Sequence, residues 1–231
     1  MKDSIRWYVD TWMKIMKSPA DFFRTLPEGV WYGDSLTFAG ATAWILAFII
    51  TIVIFLIKLI EIGLYLTETL SLLEKVLTLP ITIVFSAVIF AIVVLIVGGF
   101  MLAAIIGLLY AVGSVLQFIL RLMGGGGMFF DMIKASLYSA AVFMLAAVPV
   151  AMSPLVKYRL ISMWTLSLIE NVVYYLACAA MFILWVAAGE AVNKVPRWKA
   201  VMSALLPIAV LVLFGVLFHT KVFPSLEKFL I

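Results

Sequence analysis

Residues 80–122 read PITIVFSAVIFAIVVLIVGGFMLAAIIGLLYAVGSVLQFILRL, and this run decides the fold class. It holds one charged residue, Arg121, at its very end. A hydrocarbon crossing takes ~20 apolar residues in a row. As a single helix, the run would be about 63 Å long at ~1.5 Å per residue, roughly twice the hydrocarbon thickness. It is therefore either one overlong helix or two helices meeting near Gly98-Gly99. In both cases the chain is an integral membrane protein. The rest agrees: 66% of the residues are hydrophobic, only 12% are charged, and the mean hydropathy is +1.24. A soluble domain carries about twice that charge.

Working outward, further apolar blocks predict spans at 36–57, 131–152, 162–188 and 199–218. Residues 58–78 mix Lys58, Glu61, Glu68, Glu74 and Lys75 with leucines and suit a helical extension and an interfacial hairpin connection. Gly124 to Gly127 predict a loop, and residues 190–198 a polar connection. The expectation is an all-α bundle of about five transmembrane helices. Cytoplasmic flanks are rich in Lys and Arg. With a single crossing by 80–122, one side holds Lys2, Arg6, Lys14, Lys17, Arg24, Arg121, Lys134, Lys194, Arg197 and Lys199. The other holds Lys58, Lys75, Lys157, Arg159, Lys221 and Lys228, so the split is 10 against 6. A second break would carry Arg121, Lys134, Lys194, Arg197 and Lys199 across and flatten this bias. Five spans are preferred, in a multi-pass cell-membrane protein with a cytoplasmic N-terminus.

The domain division expected is a cytoplasmic amphipathic segment over 1–34, a transmembrane domain over 35–219 and a short tail over 220–231. Ile5, Tyr8, Val9, Trp12, Ile15 and Met16 recur at helical spacing, opposite Arg6, Asp10, Lys14 and Lys17. This predicts a helix over 3–17 lying at the membrane interface. SPADFFRTLP, residues 18–27, predicts a second, short helix. Ser18 stands at its cap, Pro19 in its first turn, Asp21 at the capping-box position, and Pro27 and Gly29 after its end. No apolar signal-peptide core opens the chain. Trp7, Trp12, Trp31, Trp164, Trp185 and Trp198 fall near predicted span ends and read as interfacial anchors.

Glu170 is the one acid well inside a span, about eight residues or ~12 Å from its helix start. Ser167, Glu170, Tyr174 and Cys178 share a helical face, with Asn171 beside them. An ionised carboxylate costs at least a few kcal/mol in hydrocarbon, so such acids face the bundle interior and take partners. One reading is a proton or cation site. The other is a polar clamp fixing helix packing, with Lys58 or Thr51 as partner. The clamp is favoured, because a carrier usually shows more than one such group. The four glycines lack the Lys and Ser/Thr of a phosphate loop and read as a flexible turn. Around them Arg121, Gly124, Gly125, Asp131 and Lys134 would form a cytoplasmic cluster. Cys178, the single cysteine, forms no intrachain disulfide or metal cluster, and His219, the single histidine, has no ligand set near it. No catalytic motif is present, so neither cofactor nor metal is expected, and the modest charge of +4 does not suggest nucleic acid.

The order of these pieces resembles the Yip (Ypt-interacting protein) family. SPADFFRTLP resembles its N-terminal segment, in which Pro precedes a Phe pair. The long second span runs into a glycine-rich turn at Leu122 to Gly127. The next span opens with a polar, aromatic stretch, Phe130 to Tyr138. The last begins Lys199-Ala200 and carries Leu206-Pro207, and Trp164 falls where members tend to place a tryptophan. The likeness covers about residues 12–215. Members often carry Lys after the first glycines, where Gly126 and Gly127 stand here, and Pro where Val142 stands. The resemblance implies a five-helix membrane domain with a cytoplasmic N-terminus. Eukaryotic members associate with small prenylated GTPases and vesicle traffic. The short N-terminal region resembles prokaryotic members, for which no substrate follows.

The function expected is that of a non-enzymatic membrane scaffold or adaptor. Its cytoplasmic surface would comprise Phe22, Phe23, Arg121, Gly124, Gly125 and Lys134. Its partners would be the lipid bilayer and a cytoplasmic or membrane protein, with a homo-oligomer left open. The alternative is a small transporter or channel built on Glu170, Asn171, Ser167 and Tyr174.

Overall fold

The computed structural model describes residues 2–26, 32–69 and 72–217. Helix α1 spans Lys2–Lys17, α2 Pro19–Arg24, α3 Asp34–Thr69 and α4 Leu72–Leu122. Helix α5, Phe129–Tyr138, runs through a 3-10 segment, Ser139–Ala146, into α6, Ala147–Lys157. Helices α7, Met163–Asn193, and α8, Arg197–Leu217, complete the described chain. Five stretches are long and apolar enough to cross a bilayer: Asp34–Tyr65, Pro80–Leu122, Phe129–Lys157, Met163–Asn193 and Arg197–Leu217. The described chain is thus an all-α membrane bundle, with the amphipathic α1 placed against it.

The long run is one helix. Helix α4 continues unbroken through Gly98-Gly99. Gly98 is there for close approach: a methyl on it would overlap the six-membered ring of Trp44 on α3, whereas nothing lies within 4 Å of a methyl on Gly99. Small residues let helices come together in lipid, where no hydrophobic force separates helix from solvent. Helix α3 and α4 thereby form a long antiparallel hairpin.

The third crossing is longer than its sequence suggests, running to Lys157 instead of ending at Pro149 or Pro154. Proline at position 149 has no N–H, and its ring crowds the carbonyl of residue 145. The chain just before it is wound as the tighter 3-10 helix, Ser139–Ala146. Small Ser139, Ala140 and Ala141 are fully buried there against α3 and α7. Trp185 is also buried, 1% exposed, and its indole donates to Ser139 Oγ at 3.1 Å. It is a core residue and not the interfacial anchor its place in the sequence implies. Trp164 and Trp198 do stand exposed, at the beginnings of α7 and α8. Trp31 and His219 lie outside the described residues.

The core lies in the half of the bundle nearest the glycine turn. It joins Phe38, Ala39 and Ala43 of α3, Leu109, Leu116 and Leu120 of α4, Met132 to Val142, Leu184 to Ala188 of α7, and Ala200 and Ala204 of α8. The opposite half of α4 turns Ile81, Phe85, Ile92, Ile96 and Phe100 outward. At that end Glu61 of α3 pairs with Lys58 on its own helix at 2.8 Å and with Lys157 of α6.

Helix α1 lays its apolar face on protein. Ile15 is wholly buried, Tyr8 stacks on Phe38 at 5.0 Å, and the Trp12 indole donates to the Ala141 carbonyl at 3.0 Å. Thr42 donates to Phe38 O at 2.9 Å, so the Tyr8 hydroxyl is the donor in its own 2.9 Å bond to Thr42. Burial pushes the Tyr8 phenol above its ordinary value, against the pull of that bond. Helix α2 begins after Ser18 with Pro19 in its first turn, but the Ser18 side chain makes no capping bond. The Thr25 hydroxyl closes its other end on Asp21 O and Phe22 O, at 3.1 and 3.0 Å.

Candidate functional site

The four glycines form a held turn, not a flexible one. Gly124 has φ +86°, the left-handed geometry that glycine adopts without strain, and Gly125 N–H bonds back to Leu120 O at 2.8 Å. Two buried amides then clamp the strand that follows. Asn193, at the end of α7, accepts Gly127 N–H on Oδ1 at 3.2 Å and donates from Nδ2 to Gln117 Oε1 at 3.0 Å. Gln117 of α4 donates from Nε2 to Gly127 O at 2.7 Å. These side chains are 1% and 2% exposed for Gln117 and Asn193, so each bond forms away from water, where an unmade one is costly. Lys199 of α8 closes the last turn of α4, donating to Met123 O at 2.6 Å.

Beside this turn lies a cavity of about 280 Å³ between α2, α5 and the α7–α8 connection. Phe23, Leu26, Ala191 and Val192 give it an apolar wall, while Arg24, Lys134 and Lys194 face one carboxylate, Asp131. Lys134 is buried, 6% exposed, and Arg24 and Lys194 are exposed. Phe23 is buried, and Phe22 packs edge-on against Tyr138 of α5 at 5.0 Å. Arg121 is exposed on the adjoining turn. Phe23 and Lys134 thus share one cavity, while Gly124, Gly125 and Arg121 belong to the neighbouring turn.

The second group is dispersed by its own helix. Asn171 donates to Ser167 O at 2.9 Å, one turn back on α7. The Tyr174 hydroxyl donates across to Leu211 O of α8, and its ring occupies the space a side chain at Gly215 would need. Glu170 is half-buried and lines an apolar groove of about 290 Å³ with Leu108, Phe143, Pro149, Cys178 and Leu211. The proposed clamp to α3 is not formed: Lys58 serves Glu61, and the buried Thr51 hydroxyl has no partner. Cys178 is buried in the same groove, as its packing role requires.

Gln117 and Asn193 are the residues that the sequence reading passed over. Gln117 did carry a signal, being the single amide in the apolar run 80–122. Asn193 carried none, in a connection already rich in polar residues. Among the described residues no group of three His, Cys, Asp or Glu side chains could hold a metal.

Compared with known families, residues 13–218 match the family model described as the Yip1 domain. No curated protein and no solved structure matches the chain.

Proposed function

This chain belongs to the Yip1 domain family of multi-pass membrane proteins, and on that premise we propose that it is a non-enzymatic scaffold or adaptor. It sits in the cell membrane with the glycine-turn end toward the cytoplasm, the side that the Lys and Arg bias favours. The observation that carries this reading is the rigid composite face at that end. Ile15 and Phe23 anchor α1 and α2 in the core, the Gln117–Asn193 pair fixes the glycine turn, and Lys199 ties α8 to α4. A preformed face loses little freedom when a partner docks.

Deleting residues 1–28 would also remove Ile15 and Phe23 from the core, and so could not separate docking from unfolding. Arg121→Glu and Gly126→Glu avoid this, since Arg121 is exposed and nothing stands within 4 Å of a methyl on Gly126. Crosslinking in native membranes followed by mass spectrometry should recover a specific protein with the unaltered chain. The double substitution should cut that recovery at least tenfold. Equal recovery from both, or no specific protein from either, would sink the scaffold reading.

One observation favours a small transporter or channel instead: Glu170 opens on a groove beside the proline-tightened 3-10 segment. Intramembrane acids and irregular helices are parts that carriers use. The continuity of α4 at Gly98-Gly99 removes the broken helix that this idea also drew upon. Ion or solute flux in proteoliposomes that Glu170→Gln leaves unchanged would dispose of it.

A further inference from the structure

The cavity between α2, α5 and the α7–α8 connection has more positive charge than its own residues balance, and we propose that it binds the phosphate of an anionic phospholipid headgroup. Arg24, Lys134 and Lys194 against Asp131 leave a formal excess of two positive charges in about 280 Å³. The three cations come from three separate elements, α2, α5 and the residue that follows α7, so the fold and not a local charge run assembles them. Lys134 matters most, because it is buried: an ammonium out of water gains far more from an anion than one on the surface. Arg24 and Lys194, both exposed, stand at the mouth. A guanidinium offers two parallel N–H donors to a phosphate, and two ammoniums supply point charges around it.

Location and size select a lipid. Lys134 lies five residues past the start of α5, about 8 Å along the third crossing, so the cavity sits where headgroups lie. Phe23, Leu26, Ala191 and Val192 give a wall that glycerol carbons can meet. The volume is just under the ~300 Å³ at which clefts for drug-sized ligands begin, which suits a headgroup and not a whole lipid. Basic pockets between membrane helices bind anionic headgroups in this manner. The proposal does not rest on the scaffold reading, since the purified chain alone should bind.

The test is native mass spectrometry of the full chain, purified in neutral detergent and titrated separately with phosphatidylglycerol, phosphatidylcholine and inorganic phosphate. Phosphatidylglycerol should bind at least tenfold more tightly than phosphatidylcholine. Lys134→Gln and Arg24→Gln should each remove most of that preference, and Lys58→Gln, at the opposite end, should leave it intact. Arg24 is exposed, so its substitution tests the site without risk to the fold. Equal binding of the two lipids, or a preference that survives Arg24→Gln and Lys134→Gln, overturns the proposal. Inorganic phosphate that binds through Lys134 while the two lipids bind alike also overturns it, by assigning the cavity to a soluble anion.

Discussion

Gly126 and Gly127 are adjacent, yet a side chain is tolerated at only one of them. A methyl on Gly126 meets nothing within 4 Å, while one on Gly127 would come 2.6 Å from Val192 O and 2.8 Å from Asn193 Oδ1. Neither obstacle is a free chain end, since one is backbone and the other is bound to both Gly127 and Gln117. Gly127→Ala should therefore cost about 2–3 kcal/mol, by overpacking and by loss of the amide clamp. Gly126→Ala should stay within ~0.5 kcal/mol. Denaturation of the purified protein in mixed micelles measures both, and equal effects would mean the turn is not clamped. From the sequence, four glycines imply freedom, because glycine permits so many conformations. What restrains them is a pair of amides 76 residues apart in the chain. Glu170 failed as a clamp for a related reason: helical spacing shows which residues share a face, not which neighbour that face meets.

At the scale of elements, the crossings were legible and their interruptions were not. Apolar length alone marks α3, α4, α7 and α8, since no other feature of a chain needs so many uncharged residues in succession. Gly98-Gly99 looks like a break because glycine is a poor helix former in water. In this bundle Gly98 instead admits the Trp44 ring, and Gly99 faces outward. The two should respond in opposite senses. Gly98→Ala should destabilise by about 1–3 kcal/mol through the clash with Trp44. Gly99→Ala should be neutral or stabilise by up to ~1 kcal/mol, as alanine does within a continuous helix. Thermal unfolding of the two variants side by side is decisive, and a loss at both positions would indicate a hinge. The 3-10 segment escaped prediction because Pro149 acts on the turns before it, while the sequence suggests that a proline ends a helix where it stands.

For the whole molecule, five crossings put the glycine turn and the α6–α7 turn on opposite sides of the membrane. In a Cys178→Ala background, Gly126→Cys should react with an impermeant maleimide from one side only and Leu160→Cys from the other. Gly99→Cys, outward on mid-α4, should react from neither. Labelling of the first two from the same side would refute the topology. Overall architecture was the most legible level, because it depends on sums over many residues, of hydropathy and of Lys and Arg. The unbroken α4 carries that architecture into the membrane itself. Its apolar stretch, Pro80–Leu122, is about 63 Å long. Even at a tilt of ~40°, it would need roughly 48 Å of hydrocarbon where an average bilayer offers ~30 Å. The mismatch must be met by thickening the surrounding lipid or by gathering thicker patches around the α3–α4 hairpin. The protein should accordingly partition toward the thickest membrane open to it, and its length acts as a sorting signal that no side chain needs to encode.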